Sequence, residues 1–218
     1  VNASTNHNSQ SGYELGNTIS EKVIPPAITG EQWLAEPVGK LLSSCGCKLG
    51  IDIGANHGTW TTWMAKYFKK VIAVEPDSRC SEIDGVEFHR ILIGDCSGVK
   101  RLWLSEMPEQ NHTSELHPLH QSSGQPIDIN QKTLDELCDG RVPDFVKIDV
   151  EGAEDLILKG IKDLSIYAKT AFLIESHNRT AQLSEYFKQH KRLFSIIEHP
   201  FRCPNHCWFA IEASPREW

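Results

Sequence analysis

"GIDIGANHGTW", residues 50–60, decides how the rest of the chain is read. An apolar run over residues 49–53, bounded by glycine, predicts a buried strand. Gly54 and Gly58 make a turn, and Trp60, Trp63, Met64, Tyr67 and Phe68 then recur at helical spacing through residues 57–70. Strand, glycine turn and helix open a nucleotide-binding α/β unit. Two residues are wrong for the commonest ligand of that unit. Asn56 stands where a dinucleotide fingerprint has its second glycine, and Asp52 brings a negative charge that repels a pyrophosphate. No G-K-[ST] follows the glycines, so the turn is not a P-loop either.

Working outward, strands and helices alternate. Strands are expected at 71–75 (VIAVE), within 86–94, at 144–150 (DFVKIDV) and at 170–176 (TAFLIES), with an accessory strand at 98–104. Residues 194–199 and 207–213 predict a closing hairpin. Helices are expected at 30–44, 57–70, 152–164 and 180–192, and Thr133 with Glu136 forms a capping box that opens another. Together these give an α/β, Rossmann-like sandwich: a seven-stranded, mostly parallel sheet with a C-terminal antiparallel strand pair and helices on both faces. Residues 1–29 read as a flexible polar leader and 30–218 as one domain. The stretch 105–126, with His112, His117 and His120, reads as a long loop.

The net charge of −7 gives no electrostatic reason to expect nucleic acid or an anionic membrane. No run is long and apolar enough for a membrane helix. Seven scattered cysteines, with no apolar signal segment before them, predict reduced thiols in a cytoplasmic protein. Nothing in the sequence speaks to oligomeric state.

Ligands of such sheets bind beyond the carboxyl ends of the strands. The expected strand ends carry Asp52, Glu75 (followed by Pro76 and Asp77), Asp95, Asp149 with Glu151, and Glu175. An acidic rim suits a cationic nucleoside without phosphate, which S-adenosylmethionine is. Asp52 would attract its methionyl end, Glu75 would accept the ribose hydroxyls and Asp95 would face the adenine amino group.

"IDIGANHGTWT", "AVEPD", "TLDEL" and "DFVKIDVEGAEDLILKGI", in this order, resemble the FkbM-type methyltransferase family over residues 48–177. The resemblance implies a class I methyltransferase fold, S-adenosylmethionine as donor and transfer to a hydroxyl oxygen of a small molecule or a sugar or glycan. Carried over by motif, Asp52, Gly54, Asn56, Gly58 and Glu75 would serve the cofactor; Ala55, Thr59, Pro76 and Asp95 are expected in the same pocket. Asp149 and Glu151 would stand at the reaction centre. The chain departs from the family at His57, where an apolar residue is usual, and in the short segment "EPDSRCSEIDGVEF".

Methyl transfer needs alignment of nucleophile, methyl and sulfur, and removal of a proton. Asp149 is one candidate base, and His177, with an ordinary pKa near neutrality, is another. Lys147 shares a strand face with Asp149 and could pair with it. Asp149, Glu175, His177 and Asn178 could converge on a metal, but no spacing demands one, and none is assigned. "HPFRCPNHC" (199–207) resembles a zinc segment but is incomplete. His112, Thr113 and Ser114 are placed where an acceptor would be held. The competing readings are an RNA ribose 2'-O-methyltransferase, a non-catalytic module of the same fold and, more distantly, a nicotinamide oxidoreductase.

Overall fold

The computed structural model describes residues 32–106, 111–113, 126–198 and 206–214. The strands are β1 (Leu49–Ile53), β2 (Lys70–Val74), β3 (Glu87–His89), β4 (Leu92–Ile93), β5 (Gly98–Trp103), β6 (Pro126–Lys132), β7 (Phe145–Ile148), β8 (Ala171–His177), β9 (Phe194–Glu198) and β10 (His206–Ile211). The helices are α1 (Ala35–Ser43), α2 (Thr59–Met64), α3 (Leu134–Cys138), α4 (Glu154–Lys159) and α5 (Thr180–Gln189). The expected leader, Ser114, His117, His120, His199 and Cys203 lie outside the described residues.

Seven strands form the main sheet in the order β3-β2-β1-β7-β8-β10-β9. All its pairings are parallel except those of β10, which runs antiparallel to both β8 and β9. The chain reverses its direction of travel across the sheet between β1 and β7, and the carboxyl ends of β1, β2, β7 and β8 share one rim.

Strand alternation sorts the core into two layers. Ile51 and Ile53 of β1, Ile72 and Val74 of β2, Val146 and Ile148 of β7, and Phe172 and Ile174 of β8 pack together on one face. Val71, Phe145, Ala171, Leu173 and Trp208 face the other way, against α1 and the tryptophans of α2. Asp52 and Lys147 occupy positions of this second set. Gly50 shares it too: a Cβ there would lie 2.6 Å from Met64 Cε, so glycine lets α2 settle on β1.

Three differences from the sequence reading stand out. The helix expected over 57–70 is α2 alone, because the chain must return to pair Lys70 with Leu49, and it does so through i→i+3 bonds such as Lys66 N–H to the Trp63 carbonyl, 3.0 Å. Among the described residues no helix stands between β2 and β3. The strand within 86–94 splits into β3, on the edge of the main sheet, and β4, which pairs with β6. The accessory strand at 98–104 is present as β5, but it pairs with β6, which alternates Ile127 and Ile129 with Asp128 and Asn130. The capping box is formed: Glu136 N–H donates to Thr133 Oγ1 at 3.2 Å, and Thr133 N–H to Glu136 Oε2 at 3.1 Å. Among the described residues no helix is long and apolar enough to cross a membrane, and Cys45, Cys47, Cys80, Cys96, Cys138 and Cys207 are free thiols.

Candidate active site

A cavity of about 330 Å³ opens over the carboxyl ends of β1, β2, β7 and β8. Its walls have two characters. Ile91, Leu92, Ile93 and Leu102, brought in by the smaller sheet, make one side apolar; Asp149, Glu151, Glu175, His177 and His206 make the other polar. Glu75 lies at the end of β2. Its Oε2 accepts from Asn56 N–H and its Oε1 from Asp77 N–H, each at 2.9 Å. Two backbone donors thus fix the plane of this carboxylate while each oxygen keeps a lone pair. Burial raises its pKa, against the pull of those two donors.

The turn at Gly54 is shaped by the protein as much as by any ligand. Gly54 has φ +80, and a Cβ there would stand 1.8 Å from the Asp149 carbonyl oxygen. Asn56, at φ +46, aims its N–H at Glu75. Beneath the turn, register places Lys147 directly beside Asp52, with Asp149 two residues further along the same face. Lys147 Nζ is 3.2 Å from Asp52 Oδ1 and 3.3 Å from Asp149 Oδ2, and it donates to the Gly54 carbonyl at 3.1 Å. Thr61 Oγ1 donates to the other Asp52 oxygen at 2.6 Å. Burial alone would lower the Lys147 pKa, but Asp52 and Asp149 outweigh it and hold the pKa above the ordinary lysine value.

On the polar side, His177 and Glu175 are two residues apart on β8, and His206 of β10 is the antiparallel partner of His177. Their rings meet edge to face with centroids 4.6 Å apart. His177 Nδ1 is 2.6 Å from Oε1 of Glu154, a fully buried acid at the start of α4. Its Nε2 faces Glu151 at 3.6 Å and Asp149 at 3.8 Å. Burial works against a charged imidazole here, but Glu154, Asp149 and Glu151 overcome it and push the pKa up to about 10.

Residues 52–203 match the sequence profile described as "Methyltransferase FkbM domain". The chain belongs to the FkbM methyltransferase family. No curated protein matches it. Among solved structures, methyltransferase FkbM from Methylobacillus flagellatus KT superposes with a TM-score of 0.50 at 17% identity, covering 75% of this chain and 43% of that one. The chain therefore spans less than half the length of that protein. An rRNA methylase from Streptococcus thermophilus gives a TM-score of 0.50 at 11% identity, covering 84% of this chain and 96% of that one. The fold is that of a class I methyltransferase.

In this FkbM-family chain the residues expected for cofactor divide. Gly54, Asn56, Glu75 and Pro76 line the cavity, whereas Asp52, Ala55, Gly58, Thr59 and Asp95 do not. Asp52 is fully buried on the α2 side, where its carboxylate meets Lys147 and Thr61 rather than the cavity. Gly58, at φ +77, caps α2 against Ile83, and Thr59 is exposed. Asp95 is exposed because the chain leaves the main sheet after β3; Gly94 and Ile93 line the wall in its place. Asp149, Glu151 and His177 converge on the cavity, while Lys147 is buried behind it. Of the loop residues, His112 and Thr113 line the wall, with His112 stacked on Trp103. Asn178 is exposed at φ +63, and His206 stands at the cavity instead. His206 and Cys207 alternate on β10, and Cys207 meets Thr180 at 3.3 Å rather than the cavity, so the two do not share a zinc.

Sequence reasoning missed Gln131, Asn111 and Glu154. Gln131 lines the cavity and donates to the Cys96 carbonyl at 2.6 Å. The alternating Ile127 and Ile129 were the available signal for its strand. Asn111 donates to Asp77 at 2.7 Å. Glu154, which reads in sequence as an acid favouring a helix start, gives no local sign of its bond to His177.

Proposed function

We propose that the chain is an S-adenosylmethionine-dependent O-methyltransferase acting on a hydroxyl of a small molecule or a glycan. One observation carries this: a single cavity joins an apolar wall and a backbone-fixed carboxylate, Glu75, to a polar cluster of Asp149, Glu151, Glu175 and His177. The first half fits a nucleoside and the second a hydroxyl acceptor.

Glu75 fits the ribose hydroxyls, because both its oxygens are already held in place by N–H donors. Ile91, Leu92 and Ile93 offer an apolar wall to the adenine. Bound S-adenosylmethionine supplies a methyl group already activated on a sulfonium. The chain's own residues then orient the acceptor and take its proton. Asp149, anchored by Lys147, and Glu151 accept the hydroxyl hydrogen bond, and the proton passes to one of these carboxylates. His177, bonded to Glu154 through Nδ1, presents Nε2 to Glu151 and Asp149. The free thiols support a cytoplasmic site of action as part of the same reading.

The test is transfer of a labelled methyl group from the donor to a panel of sugars, small alcohols and RNA. Label in the sugar or small-molecule fraction is the expected result. Label in RNA alone would replace the acceptor class, which the net charge of −7 argues against. Donor binding with no transfer to any class would favour the non-catalytic module.

A further inference from the structure

The geometry points to a divalent transition-metal site at the carboxyl ends of β7 and β8, centred on His177 Nε2. The role given to the ion rests on the methyltransferase reading; the site itself does not.

Register builds the site. Glu175 and His177 project from the same face of β8, and His206 faces them from the partner position on β10. Asp149 and Glu151 follow the end of β7, the parallel neighbour of β8. Ligand atoms of Glu175, His177 and His206 lie within 4.8 Å of one another, as do those of Asp149, Glu151 and His177. All five side chains line the cavity.

A second observation concerns how His177 is held. It is 7% exposed, and its Nδ1 is occupied at 2.6 Å by fully buried Glu154, whose Oε1 also accepts from Gly152 N–H at 3.0 Å. A buried carboxylate behind one ring nitrogen, with the other turned into a cavity, is the support that metal-ligating histidines use. The spacing on the open side agrees. An imidazolium paired with a carboxylate closes to roughly 2.8 Å. Here Nε2 keeps 3.6 Å from Glu151 and 3.8 Å from Asp149 at once. Two ligands bound at about 2.1 Å to one ion stand roughly 3.0–3.4 Å apart, so the observed gaps are closer to a pair of ligands than to a closed ion pair. The backbone also bends to make this arrangement: Glu151 is at φ +50 and Gly152 at φ +96.

Two imidazoles among carboxylates select a zinc- or cobalt-type ion over magnesium or calcium. Such an ion would hold the acceptor hydroxyl and lower its pKa beside the methyl donor.

The experiment is titration of the chelator-stripped full chain with Co²⁺, followed by visible absorption and calorimetry. Wild type is compared with His206→Ala, Glu175→Gln and Glu154→Gln, and thermal melts confirm that each variant is folded. S-adenosylmethionine binding is measured on the same samples. One equivalent of Co²⁺ should bind to wild type, at least tenfold more weakly to His206→Ala and Glu175→Gln, and about 10- to 100-fold more weakly to Glu154→Gln. Absence of stoichiometric Co²⁺ binding would overturn the site. So would binding that none of the three substitutions weakens, including binding that shows a thiolate charge-transfer band from cysteines. Donor binding without Co²⁺ binding removes this site and leaves the methyltransferase reading standing. Co²⁺ binding without donor binding does the reverse.

Discussion

The ammonium of Lys147 is buried between Asp52 and Asp149, and the three charges hold one another. Removing the middle charge strands a carboxylate in the core. Lys147→Met should therefore cost about 3–5 kcal/mol of stability, read from the urea midpoint. Gly54→Ala faces both a left-handed φ of +80 and a Cβ 1.8 Å from a backbone oxygen. It should lose about 3 kcal/mol or more, and a variant as stable as wild type would contradict the turn described here. Asp77 supplies a pH test. Burial would raise its pKa, but bonds from Arg79 and Asn111 hold it at about 2 in a fully buried setting. Its unfolded value is about 4. A depressed carboxylate stabilises above the unfolded value and loses that contribution as pH falls through the folded one. Stability of about 2 kcal/mol should disappear between roughly pH 4 and pH 2, and Asp77→Asn should flatten that part of the profile. At this scale the place of Glu75 at the cavity was legible in the sequence, because the residue directly follows β2. The pairing of Asp52 was not, because its partner Lys147 comes from a distant strand and only the sheet register brings them side by side.

Elements were legible in proportion to how much of their signal is local. The capping box at Thr133 needed four residues, and both of its bonds are present. Thr133→Ala should cost about 1 kcal/mol by thermal or urea unfolding, with donor binding unchanged, since Thr133 does not line the cavity. The split of residues 86–94 was not legible. Its apolar pattern reads as one strand, and only the presence of β6 draws Leu92 and Ile93 into a second sheet. That switch explains why Asp95 misses the cavity. The pairing of His206 with His177 was equally hidden, since it depends on β10 entering between β8 and β9.

At the scale of the whole molecule, alternation of strands and helices was enough to read the main sheet, because buried parallel strands must be apolar and their connections must cross over. The position of the cavity at the carboxyl ends of the strands followed from that topology. Its division into an apolar and a polar half did not, because the apolar wall comes largely from a sheet whose central strand, β6, went unread. The central claim is that this cavity holds the nucleoside of a methyl donor against Glu75. Calorimetric titration with S-adenosylmethionine and its demethylated product, on wild type and on Glu75→Ala, tests it most directly. The account predicts that both ligands bind wild type and that Glu75→Ala, folded by its thermal melt, binds each at least tenfold more weakly. Equal binding by the two proteins, or no binding of either ligand to folded wild type, would contradict it.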